Sequence, residues 1–157
     1  MPHEFRLQAD HFQIFVGDRD EGPLVDTWTL WDQGALIGSI EGAPEMFGMT
    51  VARYGGTVCV EVEVAAGPRP APSAPWERLG DFRLGVPSGE VILWRPEGEA
   101  SEATARVSLP PGRYAGEVFA RDRDRVVDEF DEDGEDRYRL VLWPEDVKST
   151  VDIRQPR

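Results

Sequence analysis

Apolar residues recur at every second position through most of the chain, the pattern of a strand with one face turned to a core. The cleanest run is Val58, Val60, Val62 and Val64, alternating with Cys59, Glu61 and Glu63. The same period appears at Phe12, Ile14 and Val16, at Phe82, Leu84 and Val86, at Tyr114, Gly116, Val118 and Ala120, and at Tyr138, Leu140 and Leu142. Shorter strand candidates lie at Phe5–Leu7, Ala35–Ile40, Phe47–Arg53, Val91–Trp94 and Arg106–Leu109. Turn signals punctuate these runs: Gly17-Asp18 to Gly22-Pro23, Gly55-Gly56, Ser88-Gly89 and Pro110-Pro111-Gly112. Gly55-Gly56 reads as a hairpin turn joining its two flanking strands. No segment sustains a helical period; Glu21–Trp31 has room for one turn at most.

The pattern predicts an all-β protein, a single-domain antiparallel β-sandwich of about eight to ten strands over residues 1–157. Its expected core is Phe12, Ile14, Val16, Val58, Val60, Val62, Phe82, Leu84, Tyr114, Val118, Tyr138, Leu140 and Leu142. Three stretches fall outside the strands. Ala65–Pro75 is proline-rich and reads as a stiff surface loop, because proline cannot donate within a sheet. Pro96–Ala103 is a short acidic loop, and Asp128–Asp136 holds seven acids and no base.

Charge sharpens the picture. Thirty acidic residues against 17 basic ones give a net charge of −13. That disfavours direct nucleic-acid binding, which needs a basic stripe, and an anionic membrane surface. No apolar run is long enough to span a bilayer, and the polar start Met1–Phe5 has no signal-peptide core, so a cytoplasmic location is expected. The single cysteine excludes an internal disulfide and a multi-cysteine zinc site. Asparagine is absent, and Lys148 is the only lysine, placed in a polar tail. A phosphate-binding Walker loop or a Schiff base therefore has no residue to build on.

Little else points to catalysis or to a cofactor. Cys59 shares a strand face with Glu61 and Glu63, a setting that raises a thiol pKa rather than activating it. His3 and His11, with Glu4 and Asp10 nearby, fit no zinc spacing. No serine sits in a G-x-S-x-G elbow, and with so many acids a close carboxylate pair carries no information. The expectation is a protein that is not an enzyme and uses no cofactor.

The acidic run draws three readings. As a calcium loop with Gly134 sixth, it places Glu129, Asp131 and Asp133 correctly but Arg137 ninth and Leu140 twelfth, where a bidentate Glu is required. The motif fails, although a looser site between β-loops stays open. As a solvated tip it keeps the protein soluble. As a contact surface, Asp128, Glu129, Asp131, Glu132, Asp133, Glu135 and Asp136 imitate a row of phosphates to a basic protein partner. The loop around Glu97, Glu99 and Glu102 would assist. Ahead of it, Arg121, Arg123 and Arg125 share one face if the strand continues, or fold back onto the acids. The alternative function is a carbohydrate-binding sandwich, with exposed members of Trp28, Trp31, Trp76, Trp94 and Trp143 stacking on sugar rings; the competing use of these rings is to fill the core.

Two resemblances bear on these readings. LPPGRYAGEVFARDRD (Leu109–Asp124) followed by DRYRLVLWP (Asp136–Pro144) resembles the C-terminal half of a group of uncharacterised bacterial β-sandwich proteins. Trp28 and Trp31, then Gly34–Ile40 and the GTVCVEVEV strand, resemble the competence protein J family. That family is associated with inhibition of a secreted or membrane-linked nuclease. The resemblance implies an inhibitor or immunity-type role against a basic, nuclease-like protein, and assigns no catalytic residue.

Overall fold

The computed structural model describes residues 2–10, 12–20, 37–40, 43–70, 72–94, 105–126, 128, 130 and 134–145. Ten strands form: β1 (His3–Asp10), β2 (Gln13–Asp18), β3 (Ile37–Ile40), β4 (Ala43–Thr50), β5 (Gly55–Val64), β6 (Glu77–Val86), β7 (Glu90–Trp94), β8 (Ala105–Ser108), β9 (Gly112–Arg121) and β10 (Arg137–Pro144). A single 3-10 turn at Arg123–Arg125 is the one helical element among the described residues. None of their helices is long and apolar enough to cross a membrane.

The strands pair in two layers, β1-β5-β10-β9-β6 and β8-β7-β2-β4-β3. The layers meet at a corner where β1 turns into β2 and only Asp10 and Gln13 pair. β1 lies over β7 and β8, and β6 over β2, β3 and β4. The all-β sandwich read from the alternation is the fold. The ladder is mixed rather than wholly antiparallel: β10 runs parallel to β5, from Arg137 opposite Cys59 to Leu142 opposite Val64. A parallel neighbour requires a long crossover, and all the chain between β5 and β10 supplies it.

Side chains facing inward from both layers make one core, including Ile14, Val16, Val58, Val60, Val62, Leu84, Val118, Tyr138 and Leu140. Every expected core residue belongs to it except Phe12. That residue occupies the tight link between β1 and β2 with φ of 63°, so its ring turns away from the core. Its N–H donates to the Tyr54 carbonyl and its own carbonyl accepts from Val51, fixing the corner. The Gly55-Gly56 hairpin does not form. β4 and β5 lie in different layers, β5 begins at Gly55, and Val51–Tyr54 carries the chain across.

Two outer faces are also apolar. On the first layer Phe119, Val141 and Ala65 pack with Trp76 and Trp143. The proline-rich loop lies against this face, where Pro70 and Pro72 border a small hollow of about 120 Å³ with Phe119, Val141 and Trp143. On the second layer Met46, Phe15, Ile92 and Trp94 alternate out of phase with the core residues and are nonetheless buried.

Candidate partner-binding surface at the acidic end

At the end of the sandwich where the chain enters β10, the crossing Val51–Tyr54 meets the acidic segment. Arg53 and Asp136 are both fully buried, at 0% exposure. The Arg53 Nε–H donates to Asp136 Oδ1 at 3.0 Å, and its Nη2 donates to the Thr57 carbonyl at 2.6 Å. The second carboxylate oxygen accepts from the Tyr138 hydroxyl at 2.9 Å, and that hydroxyl accepts from the Ala52 N–H at 2.7 Å. Burial and then the adjacent Asp136 charge push the Tyr138 phenol well above its ordinary value, so it remains a neutral donor. A buried ion pair is tolerated only when its remaining donors and acceptors find partners, and here they do. Gly134 permits the approach: a β-carbon there would stand 2.7 Å from Asp136 Oδ1 and 2.8 Å from Arg53 Nε.

Asp136 therefore leaves the expected contact set. Its carboxylate is sealed inside the protein and serves as an anchor for the segment, not as a charge offered to a partner. Asp128 and Glu135 are exposed. Glu129, Asp131, Glu132 and Asp133 lie outside the described residues, as do Glu97, Glu99 and Glu102. The strand from Tyr114 stops at Arg121, because Asp122 takes a left-handed conformation and a 3-10 turn follows. The arginines therefore do not line one strand face. Arg125 instead folds back onto the acidic segment, 3.7 Å from Glu135, and also meets Asp122 at 3.5 Å.

Sequence periodicity gave no sign of an aromatic ladder at this end. The rings of Phe12 and Tyr54 meet edge to face at 5.5 Å, and Tyr54 packs on Phe130 at 5.3 Å. Phe130 is 65% exposed, and its backbone N–H donates to Asp128 Oδ1 at 2.9 Å. The only available signal was a phenylalanine interrupting a run of carboxylates.

Other candidates resolve differently. Cys59 is buried, and burial first, then the nearby Glu4 carboxylate, raises its thiol pKa, the direction its strand neighbours predicted. His3 is exposed and opposes Val62 in the β1–β5 ladder, while His11 lies outside the described residues. Among the described residues no three His, Cys, Asp or Glu side chains cluster as metal ligands. Trp94 is buried against Phe15 at 5.8 Å, and Trp143 is half-buried. Trp76 is half-buried and carries the guanidinium of Arg139 at 4.3 Å from its ring centre and that of Arg121 at 5.2 Å. Trp28 and Trp31 lie outside the described residues.

Two solved structures share this fold. One is ComJ from Bacillus subtilis, described as an inhibitor of the DNA-degrading activity of NucA, at a TM-score of 0.58 and 11% identity over 92% of this chain and 98% of that one. The other, crocagin biosynthetic gene J, gives 0.55 and 17% identity over 92% and 97%. At such identities the likeness concerns the fold, and it runs nearly end to end in both. The expected resemblance to the competence protein J family is thus met in architecture. No protein-family model matches this sequence, and no curated protein sequence does either.

Proposed function

We propose that this chain is a non-enzymatic, acidic, cytoplasmic binding protein that inhibits a basic, nuclease-like partner. The observation that carries this reading is the end-to-end fold likeness to ComJ, an inhibitor of a DNA-degrading enzyme. The contact is assigned to the acidic end: exposed Asp128 and Glu135, together with Glu129, Asp131, Glu132 and Asp133. Closely spaced carboxylates build a negative potential that steers a cationic partner and raises its on-rate. The alternative, a sugar-binding sandwich, is less well supported, since none of the three described tryptophans is exposed.

The test is a DNA-degradation assay of a NucA-type nuclease from the same organism, titrated with this protein at low and high salt. Stoichiometric inhibition that weakens as salt rises is expected. Replacing Asp128, Glu129, Asp131, Glu132, Asp133 and Glu135 with Ser, and leaving buried Asp136 intact, is expected to weaken inhibition by about tenfold or more. Inhibition indifferent to both salt and this variant would overturn the assignment of the surface.

A further inference from the structure

Steering by charge brings a partner close but does little to hold it, because exposed ion pairs contribute only about 0–1 kcal/mol each. Lasting contact in protein interfaces comes from a few aromatic or arginine side chains that bury themselves in the partner. At the acidic end one side chain has that character. Among the described residues only Phe130 and Val64 are exposed large apolar groups, and Phe130 is by far the more open, 65% against 37%.

Phe130 stands on a support. Its ring packs at a tilt on Tyr54, Tyr54 edge to face on Phe12, and Phe12 is held by the two backbone hydrogen bonds that fix the β1–β2 corner. Its own N–H is held by Asp128, and the segment re-enters the fold through the buried Asp136–Arg53 pair. A ring so placed gives up little conformational freedom on binding, and this lowers the cost of association. A solvated tip has no use for an exposed phenylalanine packed on two further aromatic rings.

We infer that Phe130 is the apolar anchor of the acidic surface, inserting into an apolar recess that the partner protein rims with lysine and arginine. The inference rests on the inhibitor reading above and adds a division of labour to it. The carboxylates choose and steer a cationic partner, and Phe130 retains it. Charge complementarity fixes the kind of occupant, since a ring carried within a run of seven acids in nine residues, its own N–H held by Asp128, is compatible with an apolar pocket only where the border of that pocket is basic.

The test uses two labelled peptides of equal length and charge, one alternating Lys with Leu and the other Lys with Ser, titrated into the full-length protein at low salt. The wild-type protein is expected to prefer the Lys–Leu peptide by about tenfold, the scale of one anchor residue. Phe130→Ser should abolish that preference while leaving Lys–Ser affinity unchanged, and Phe130→Leu should retain most of it. Replacing Glu132, Asp133 and Glu135 with Ser, with Asp128 left to hold the Phe130 N–H, should weaken both peptides alike and keep the ratio. Equal binding of the two peptides by wild type, or a preference that survives Phe130→Ser, overturns the anchor and leaves the acidic surface standing. If neither peptide binds, the acidic surface fails and the anchor falls with it. A thermal melt close to that of wild type is expected for Phe130→Ser, since the ring is 65% exposed and lies outside the core cluster.

Discussion

The two ends of the sandwich each bury a carboxylate, and they satisfy it in different ways. Asp136 at the acidic end faces a cation, with Arg53 on one oxygen and the Tyr138 hydroxyl on the other. Asp18 at the far end is 1% exposed and has no ion-pair partner among the described residues. Its Oδ1 accepts from the Ser88 N–H at 3.0 Å and the Ser88 hydroxyl at 2.6 Å, and its Oδ2 accepts from the Asp20 N–H at 3.0 Å. Both carboxylates pin places where the chain crosses between layers, Val51–Tyr54 for Asp136 and the β6–β7 turn for Asp18. The far-end turn needs only neutral donors. The acidic end must hold down a segment dense in negative charge, and there a buried cation offsets the repulsion that neutral donors would leave in place.

The contrast is sharpest under one substitution made at both sites. Asp136→Asn leaves the Arg53 guanidinium buried without its counter-charge, and a loss of about 3–5 kcal/mol in denaturant unfolding is expected. Should it cost no more than the far-end change, the pair is not what fastens the segment. Replacing Arg53 with Met and Asp136 with Leu together is expected to recover much of that loss, because no charge is then stranded.

Next in size is Tyr138→Phe, which removes one donor to Asp136 and one acceptor for Ala52, at about 1–3 kcal/mol. The same variant separates the ends by pH. Because the folded phenol titrates above its ordinary value of about 10, its stabilisation is complete below that pH and is lost as pH rises beyond it. Melting temperatures of wild type are therefore expected to fall on the alkaline side more steeply than those of Tyr138→Phe. Parallel curves would contradict the buried hydroxyl.

The smallest expected effect is Asp18→Asn. The amide oxygen still accepts from Ser88, no cation is orphaned, and only the Asp20 N–H loses its acceptor, so a loss of about 1 kcal/mol is expected. A loss as large as that of Asp136→Asn would show a hidden charge dependence at the far end and erase the contrast.

How far the sequence could be read differs between these regions. Val58–Val64 and Tyr138–Leu142 were legible because alternation is local: each residue's facing follows from its immediate neighbours. Phe12 obeyed the same alternation and misled, since a tight link with positive φ breaks the phase. Gly55-Gly56 looked like a hairpin because turn chemistry says where a chain bends and not which strand it joins. Phe130 left no periodic trace, being a side chain on a loop, and Arg53 stood at the end of a strand candidate with nothing in its neighbours to show that its charge would be buried.

By itself the sequence determined the strand-rich class, most of the core-facing residues and the sign of the surface charge, all properties summed over neighbours along the chain. The tertiary structure alone decided that β5 and β10 run parallel, that the chain changes layer at Val51–Tyr54, and that Asp136 goes inside while Asp128 and Glu135 stay exposed. In the sequence Asp136 is indistinguishable from Asp128 or Glu135. It is set apart by an arginine 83 positions away, because burying a charge depends on what the fold brings beside it.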